Sequence, residues 1–424
     1  MRRSTALPVV LALIVAACTS TVADPNGSGA IRVGTVYPLS GSQGQGGIDE
    51  HRGVMLAAEL VNADGGIGGR PIEIVSTDVS AAEAAPATIE GLDADGIDVV
   101  LGSYGSTISA PASETAAAHD MLFWETGAVG MLTERSQQGV RTFRMPPTGA
   151  VLGRNAIDFM NGPLARAFDR DPGELRYAVS FVDDVYGRSV ASGALQAAAE
   201  LDLDVVGRFG YDLSTVDYDA LARRIDRSDA DVLFVSAYLV DAVELRRSLV
   251  RNDVGLLASI GTSSSYCMPE FGAALGDDAV GLFASDKPSG AAIDPSTLRS
   301  EGAELLERAR KGYDERWHEE MSPAALAGFS AAWALFAEVM PDAAAESGSL
   351  SPDAIAEAAL AADLPMGSLP NGSGLRFGEP GTATAGDNVA AAAVIWEWMV
   401  PGEHMVVWPP ELATHTVRAM DIAP

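Results

Sequence analysis

Two short loops carry most of the hydrogen-bonding chemistry that this chain can direct at a small molecule. Ser103-Tyr104-Gly105-Ser106-Thr107 falls between an apolar run ending at Leu101 and a helical stretch starting near Ser109. Free backbone N–H groups at a helix start, joined by the Ser106 and Thr107 hydroxyls, suit an anionic or polar group, and the same hydroxyls serve equally to cap the helix. Glu125-Thr126-Gly127-Ala128 follows the next apolar run. There Glu125 is expected to face the ligand and to read a cationic or hydroxyl group.

Other kinds of chemistry have little to stand on. The five histidines, His51, His119, His318, His404 and His415, are scattered without ligand spacing, so no metal site is expected. There is no G-x-S-x-G elbow and no Ser/His/Asp context for an exported hydrolase, so no catalytic residues are assigned. Gly41-Ser42-Gln43-Gly44-Gln45-Gly46-Gly47 makes a degenerate G-x-G pattern. It lacks the following glycine and a ribose-binding acid, and no cofactor is expected. The chain has two cysteines, and with Cys18 otherwise used, Cys267 reads as a buried small apolar residue.

The elements that must position these loops alternate. Strands are expected over 31–37, 71–76, 98–101 and 121–124, with helices over 48–63, 82–92 and 109–119 between them. A turn-rich stretch at 144–149 interrupts the run, and the alternation restarts. Strands then fall over 176–182, 204–209, 231–236 and 257–261, with helices over 188–200, 217–227 and 241–251. Each strand–helix–strand passage argues for a parallel βαβ unit, so the chain reads as two α/β sheets built alike. An extended crossing at 282–287 leads to helices over 300–317, 323–340 and 352–362, and a Gly-rich tail over 374–408 reads as strands returning to a sheet. The 424 residues suffice for two cores.

The N-terminus is an export address. Arg2 and Arg3 precede an apolar stretch over 6–17, too short to span a bilayer but suited to a signal peptide. It ends Val15-Ala16-Ala17-Cys18, which resembles the bacterial lipobox. That resemblance implies cleavage before Cys18, a lipid on its sulfur, and a mature chain anchored outside the cytoplasm to the cell membrane. Residues 18–29 are small and polar and read as a flexible tether. No later segment reaches about 18 uninterrupted apolar residues. The formal net charge of −30 argues against nucleic acid as a partner.

Several segments together resemble the branched-chain amino-acid type solute-binding proteins of ABC importers, the type I periplasmic binding protein fold. They are Ile31-Arg32-Val33-Gly34 with Pro38-Leu39-Ser40-Gly41, Asn62-Ala63-Asp64-Gly65-Gly66-Ile67-Gly68-Gly69-Arg70-Pro71, and Val99-Val100-Leu101-Gly102 through Ser106. Pro111-Ala112-Ser113, Gly127-Ala128, Phe143-Arg144, Asp183-Asp184-x-Tyr186-Gly187 and Gly281-Leu282 follow in order. The resemblance implies two Rossmann-like lobes joined by a three-segment hinge. Lobe 1 would take residues 30–147 and 285–365, lobe 2 residues 148–284 and 366–424, with crossings near 144–149, 282–287 and 363–367.

It further implies a ligand clamped in the cleft by Tyr104, Ser106, Thr107, Glu125, Gly127 and Ala128 of lobe 1, with Gln45 nearby. Tyr186, Tyr238 and Ser263 would face them from lobe 2. Partners would be a small-molecule ligand and an ABC permease and ATPase complex, the alternative being a sensor that signals to a membrane partner. Three positions depart from the amino-acid binders: Val129 where a threonine is usual, Ser263 where an acid pairs the ligand ammonium, and Gly46 where an aromatic is common. These departures point to a small polar ligand, whether amino acid, amide, carboxylate or polyol. Gly46 is expected to enlarge the pocket or to let backbone approach the ligand.

Overall fold

The computed structural model describes residues 29–41, 43–130, 140–288, 293–418, 420 and 422. The expected signal peptide, Cys18 and nearly all of the expected tether lie outside the described residues. The described chain forms two sheets. Strands β1 (Ile31–Tyr37), β2 (Ile72–Asp78), β3 (Val99–Gly102), β4 (Leu122–Glu125) and β5 (Thr142–Arg144) pair in the order β2-β1-β3-β4-β5, all parallel. The second sheet contains β6 (Arg176–Val182), β7 (Asp204–Tyr211), β8 (Val232–Ser236), β9 (Ala258–Thr262) and β10 (Phe283–Asp286). Their order, β7-β6-β8-β9-β10, repeats that of the first sheet. An antiparallel hairpin, β11 (Val394–Val400) and β12 (Glu403–Trp408), then extends it beyond β10. These strands are the tail's expected return to a sheet.

Continuous burial of β3, β4, β8, β9 and β10 follows from helices covering both faces of each sheet. In the first lobe, helix α1 (Gly44–Ala63) crosses the helix Pro323–Trp333 at very short range. A Cβ on Gly53 would overlap the Ala325 carbonyl oxygen, and one on Gly328 would overlap that of Glu50. The continuous helix over Pro323–Ser347 is apolar and long enough to cross a bilayer, yet 78% of its most apolar window is buried inside the protein. It is the core helix of this lobe, and small residues let α1 seat against it.

Two features of the elements differ from the sequence reading. Helix α1 begins at Gly44 and α2 (Ser106–Ala118) at Ser106, each several residues early. The first turn of α1 is glycine-rich because the chain is crowded there: a Cβ on Gly47 would overlap the Pro38 carbonyl oxygen. Composition alone makes such a stretch look like a loop.

The crossings differ as well. β10 is a full strand of the second sheet, so the chain returns to the first lobe only after Asp286. The expected third crossing at 363–367 is displaced toward the C-terminus. Leu364 bridges Leu375, Phe377 bridges Asn388, and Asp387 bridges Arg144 at the end of β5. Phe377 completes an aromatic cluster with Trp124 and Phe143, at ring centroid distances of 5.3 and 4.9 Å. The tail through Asn388 therefore packs on the first lobe, and the chain crosses over between Asn388 and β11. Isolated bridges carry no periodicity, which is why this segment reads from sequence as part of the second lobe.

Candidate functional site

In an open sheet of order 2-1-3-4-5, ligands sit beyond the carboxyl ends of the strands, where the strand order reverses. Here the carboxyl ends of the two sheets face each other across a cavity of about 50 Å³. From the first lobe it is lined by Gly46 and Asp49 of α1, Tyr104 after β3, Gly127 after β4, and Ser322-Pro323-Ala324. From the second come Ser263, Ser264, Cys267, Met268, Pro269 and Glu270 after β9, with Asp286 and Lys287 at the end of β10. The lobes meet across the cleft, where the Tyr104 hydroxyl lies 4.0 Å from the Met268 sulfur.

Of the residues expected from sequence, Tyr104, Gly127 and Ser263 line this cavity. Gly46 lines it too, but in a different role from the one expected. A Cβ there would overlap the Tyr104 ring, so the glycine makes room for that ring and the space is already filled. Gln45 is exposed, and its amide donates to Asp49 Oδ1 (3.0 Å), steadying a lining carboxylate instead of joining it.

Ser106 lies behind the cavity wall, where its hydroxyl accepts the Gly130 N–H (2.9 Å). Thr107, half-buried on α2, is not among the lining residues. Val129 packs into the core of the second lobe, and its carbonyl accepts from Arg144 Nη1 (3.2 Å) and the Gly149 N–H (2.6 Å).

Glu125 is fully buried and is not among the lining residues, and its Oε2 has no hydrogen-bond partner among the described residues. Its Oε1 accepts the N–H groups of Gly127 (2.9 Å) and Ala128 (2.7 Å), so the carboxyl group braces its own turn. Burial pushes its pKa up to about 8; hydrogen bonds from Ser109, Gly127 and Ala128 oppose the rise and the charge of Glu50 adds to it. Tyr186 and Tyr238 are likewise braces. The Tyr186 hydroxyl bonds to Thr262 Oγ1 (2.8 Å) and to the Ser263 carbonyl, and that of Tyr238 donates to Asp184 Oδ2 (2.7 Å). Their rings lie 5.3 Å apart and hold the second lobe's loops in position.

The charged floor of the site was missed from sequence. Glu50 is fully buried on α1, and its Oε1 accepts from the Thr126 hydroxyl (2.6 Å), which in turn bonds to Tyr37 (2.5 Å). Burial raises its pKa to about 7, with Lys287 and the Thr126 hydrogen bond opposing. Lys287 is 6% exposed and donates to the Gly127 carbonyl (3.3 Å), which ties the hinge to the first lobe's site loop. Asp286 is 1% exposed; burial raises its pKa against the pull of Lys287 and of hydrogen bonds from the Cys267 thiol and the Lys287 backbone. Burial, helped by the same pairing, pushes the Cys267 thiol well up, so it stays protonated and is a poor nucleophile.

Two signals for this floor were present in the sequence. Lys287 is one of only two lysines, the other being Lys311, and it ends an apolar strand. Glu50 falls on the same helical stripe as the buried Gly53, Val54, Ala57 and Val61.

The arrangement pairs hydroxyls, carboxylates and one ammonium around a small space between two lobes. That is equipment for holding a solute. Comparison with known proteins agrees. Leu/Ile/Val-binding protein homolog 8 of Brucella suis biovar 1 (strain 1330) is 28% identical over 413 residues, covering 96% of each chain. Among solved structures, the fold is similar to that of LivJ, the branched-chain amino acid transporter substrate-binding protein of Streptococcus pneumoniae in complex with isoleucine. The TM-score is 0.70 at 19% identity, over 90% of this chain and 100% of that one. It is also similar to a fatty acid ABC transporter substrate-binding protein of Thermomonospora curvata, with a TM-score of 0.72 at 16% identity over 92% and 95% of the two chains. The family model described as periplasmic binding protein matches residues 30–392, and by that match the chain belongs to the periplasmic binding protein family.

Proposed function

We propose that this chain is the lipid-anchored, extracytoplasmic receptor of an ABC importer, which closes its two lobes on a small polar solute and presents it to a permease. The carrying observation is the cavity at the facing strand ends, lined from both lobes and from the hinge. Closure then works as a shift of population: a ligand that touches both lobes binds the closed form better than the open one. No catalytic role is assigned to the site. The names of its relatives, which include Leu/Ile/Val-binding and fatty acid transport proteins, span unlike ligands, so the ligand must be argued from this chain's own side chains. The lipobox resemblance at Cys18 supplies the anchor, and a tether of about a dozen residues lets the body reach a membrane partner.

The test is thermal unfolding of the protein purified in detergent, in the presence of amino acids, amides, polyols and carboxylates. A ligand at about 100 times its Kd adds about 2.7 kcal/mol to stability. A shift with one class supports the receptor reading, and none with any class defeats it. Cys18→Ser should move the protein from the membrane to the soluble fraction and abolish palmitate labelling.

A further inference from the structure

One buried acceptor in the cavity has nothing to accept. Asp286 ends β10 at 1% exposure and lines the cavity. Its carboxylate takes hydrogen bonds from the Cys267 thiol and the Lys287 backbone, yet Oδ1 has no hydrogen-bond partner among the described residues. A buried carboxylate oxygen without a protein donor is satisfied by what enters the cavity, and a charged donor satisfies it best.

The surrounding charges say what kind of donor fits. Lys287 is the one basic side chain among the lining residues, and it also acts on Glu50, behind the wall, while donating to the Gly127 carbonyl. One ammonium thus serves two buried carboxylates, and a second positive charge at Oδ1 would balance the floor. At the mouth, Asp49 from the first lobe and Glu270 from the second add two more carboxylates, while a bare anion would find only Lys287. The register of the sheet pairs Ser285 with Thr262, which sets Asp286 beside Ser263. An ammonium carries three donors, so Oδ1 can take one while the Ser263 and Ser264 oxygens offer acceptors nearby.

On the receptor reading above, we infer that Asp286 is the anchor for the ligand's positive group. The chain then selects solutes that carry a primary ammonium and rejects the matching carboxylates that lack one. The acid that pairs the ligand sits at the end of β10, and the loop after β9 supplies hydroxyls in its place.

Calorimetric titration of the protein purified in detergent tests this with two compound series. One is leucine, 3-methylbutylamine and 4-methylpentanoate; the other is phenylalanine, 2-phenylethylamine and 3-phenylpropanoate. The expected result in at least one series is an ammonium-bearing member that binds about 10- to 100-fold tighter than the carboxylate without it. Asp286→Asn keeps the shape and removes the charge; it should cancel that preference by weakening the ammonium-bearing members. The ligand comparison on the wild-type protein stands even if the variant folds poorly. A carboxylate that binds as tightly as its ammonium-bearing partner, or a preference that survives Asp286→Asn, overturns the anchor while leaving the receptor reading intact. No binding by any of the six compounds overturns the anchor, and the wider panel of amino acids, amides, polyols and carboxylates then decides the receptor reading.

Discussion

Replacing Glu125 by glutamine should flatten the pH dependence of first-lobe stability between pH 6.5 and 8.5. The folded carboxyl group titrates at about 8, because burial outweighs the hydrogen bonds that favour its anion. In the unfolded chain it titrates near its ordinary value, about 4.3. Between those values the folded protein holds a proton that the unfolded chain has released. The stabilisation is therefore complete below the unfolded pKa and is lost as pH rises through the folded one. Each pH unit in that interval removes about 1.4 kcal/mol, and the slope levels off above about 8. From pH 6.5 to 8.5 the loss comes to about 2 kcal/mol.

Other groups titrate in or near the same window. Glu50, at about 7, adds a smaller loss of the same sign. His51 and His404, lowered by burial to about 4, act the opposite way: their unfolded forms still shed protons near pH 6.5 while the folded forms are already neutral. All three are present in both proteins, so the difference between the two reads Glu125 together with its coupling to Glu50. Glutamine retains an oxygen to accept the Gly127 and Ala128 N–H groups. At roughly 2–4 °C per kcal/mol for a lobe of this size, the wild-type Tm should fall about 4–8 °C further than that of the variant across the window. Calorimetric scans at half-unit intervals of pH read this directly. Parallel Tm curves would mean that Glu125 is ionised throughout, and would refute the rise in its pKa by burial.

Gly53→Leu places a side chain where the Ala325 carbonyl lies, and should destabilise the first lobe by 3 kcal/mol or more, on the order expected for severe overpacking; urea unfolding measures it, and an unchanged midpoint contradicts the α1 crossing. Lys287→Met leaves Glu50 and Asp286 without their ammonium, raises the pKa of Glu50 above about 7, and should cost about 3–5 kcal/mol at pH 8 and less at pH 5, by chemical denaturation at the two pH values. Gly46→Ala pushes the Tyr104 ring out of its seat and should weaken binding of whichever solute shifts the Tm, with little change in the stability of the unliganded protein.

The architecture was legible because it rests on repetition. Parallel βαβ units bury whole strands, so 99–102, 122–125, 232–236 and 258–262 stand out as apolar runs between amphipathic helices. The segment through 364–388 lacks that signal: its anchor, Phe377, inserts singly into a cluster built by Trp124 and Phe143. For the site, the position of each loop was legible, since strand ends are where such sheets bind. The direction of each side chain was not. Glu125 and Tyr186 look like ligand contacts as residue types, but each has a nearer partner, the amides of its own turn in one case and Thr262 in the other.

The displaced acid shows the same limit more sharply. Reading along the chain, one looks for a carboxylate in the loop after β9 and finds Ser263, Ser264 and Ser265. Hydrogen bonding in a parallel sheet runs across strands, so the neighbours of Ser263 in space include the residue that follows its partner's position on β10. The pairing of Ser285 with Thr262 makes that residue Asp286. Chain order carries no record of this adjacency, because the helix Pro269–Leu275 and the turn after it separate the two strands. A carboxylate can thus move between neighbouring strand ends and still serve one cavity, leaving a sequence in which the acid seems lost from one loop while the cleft retains it.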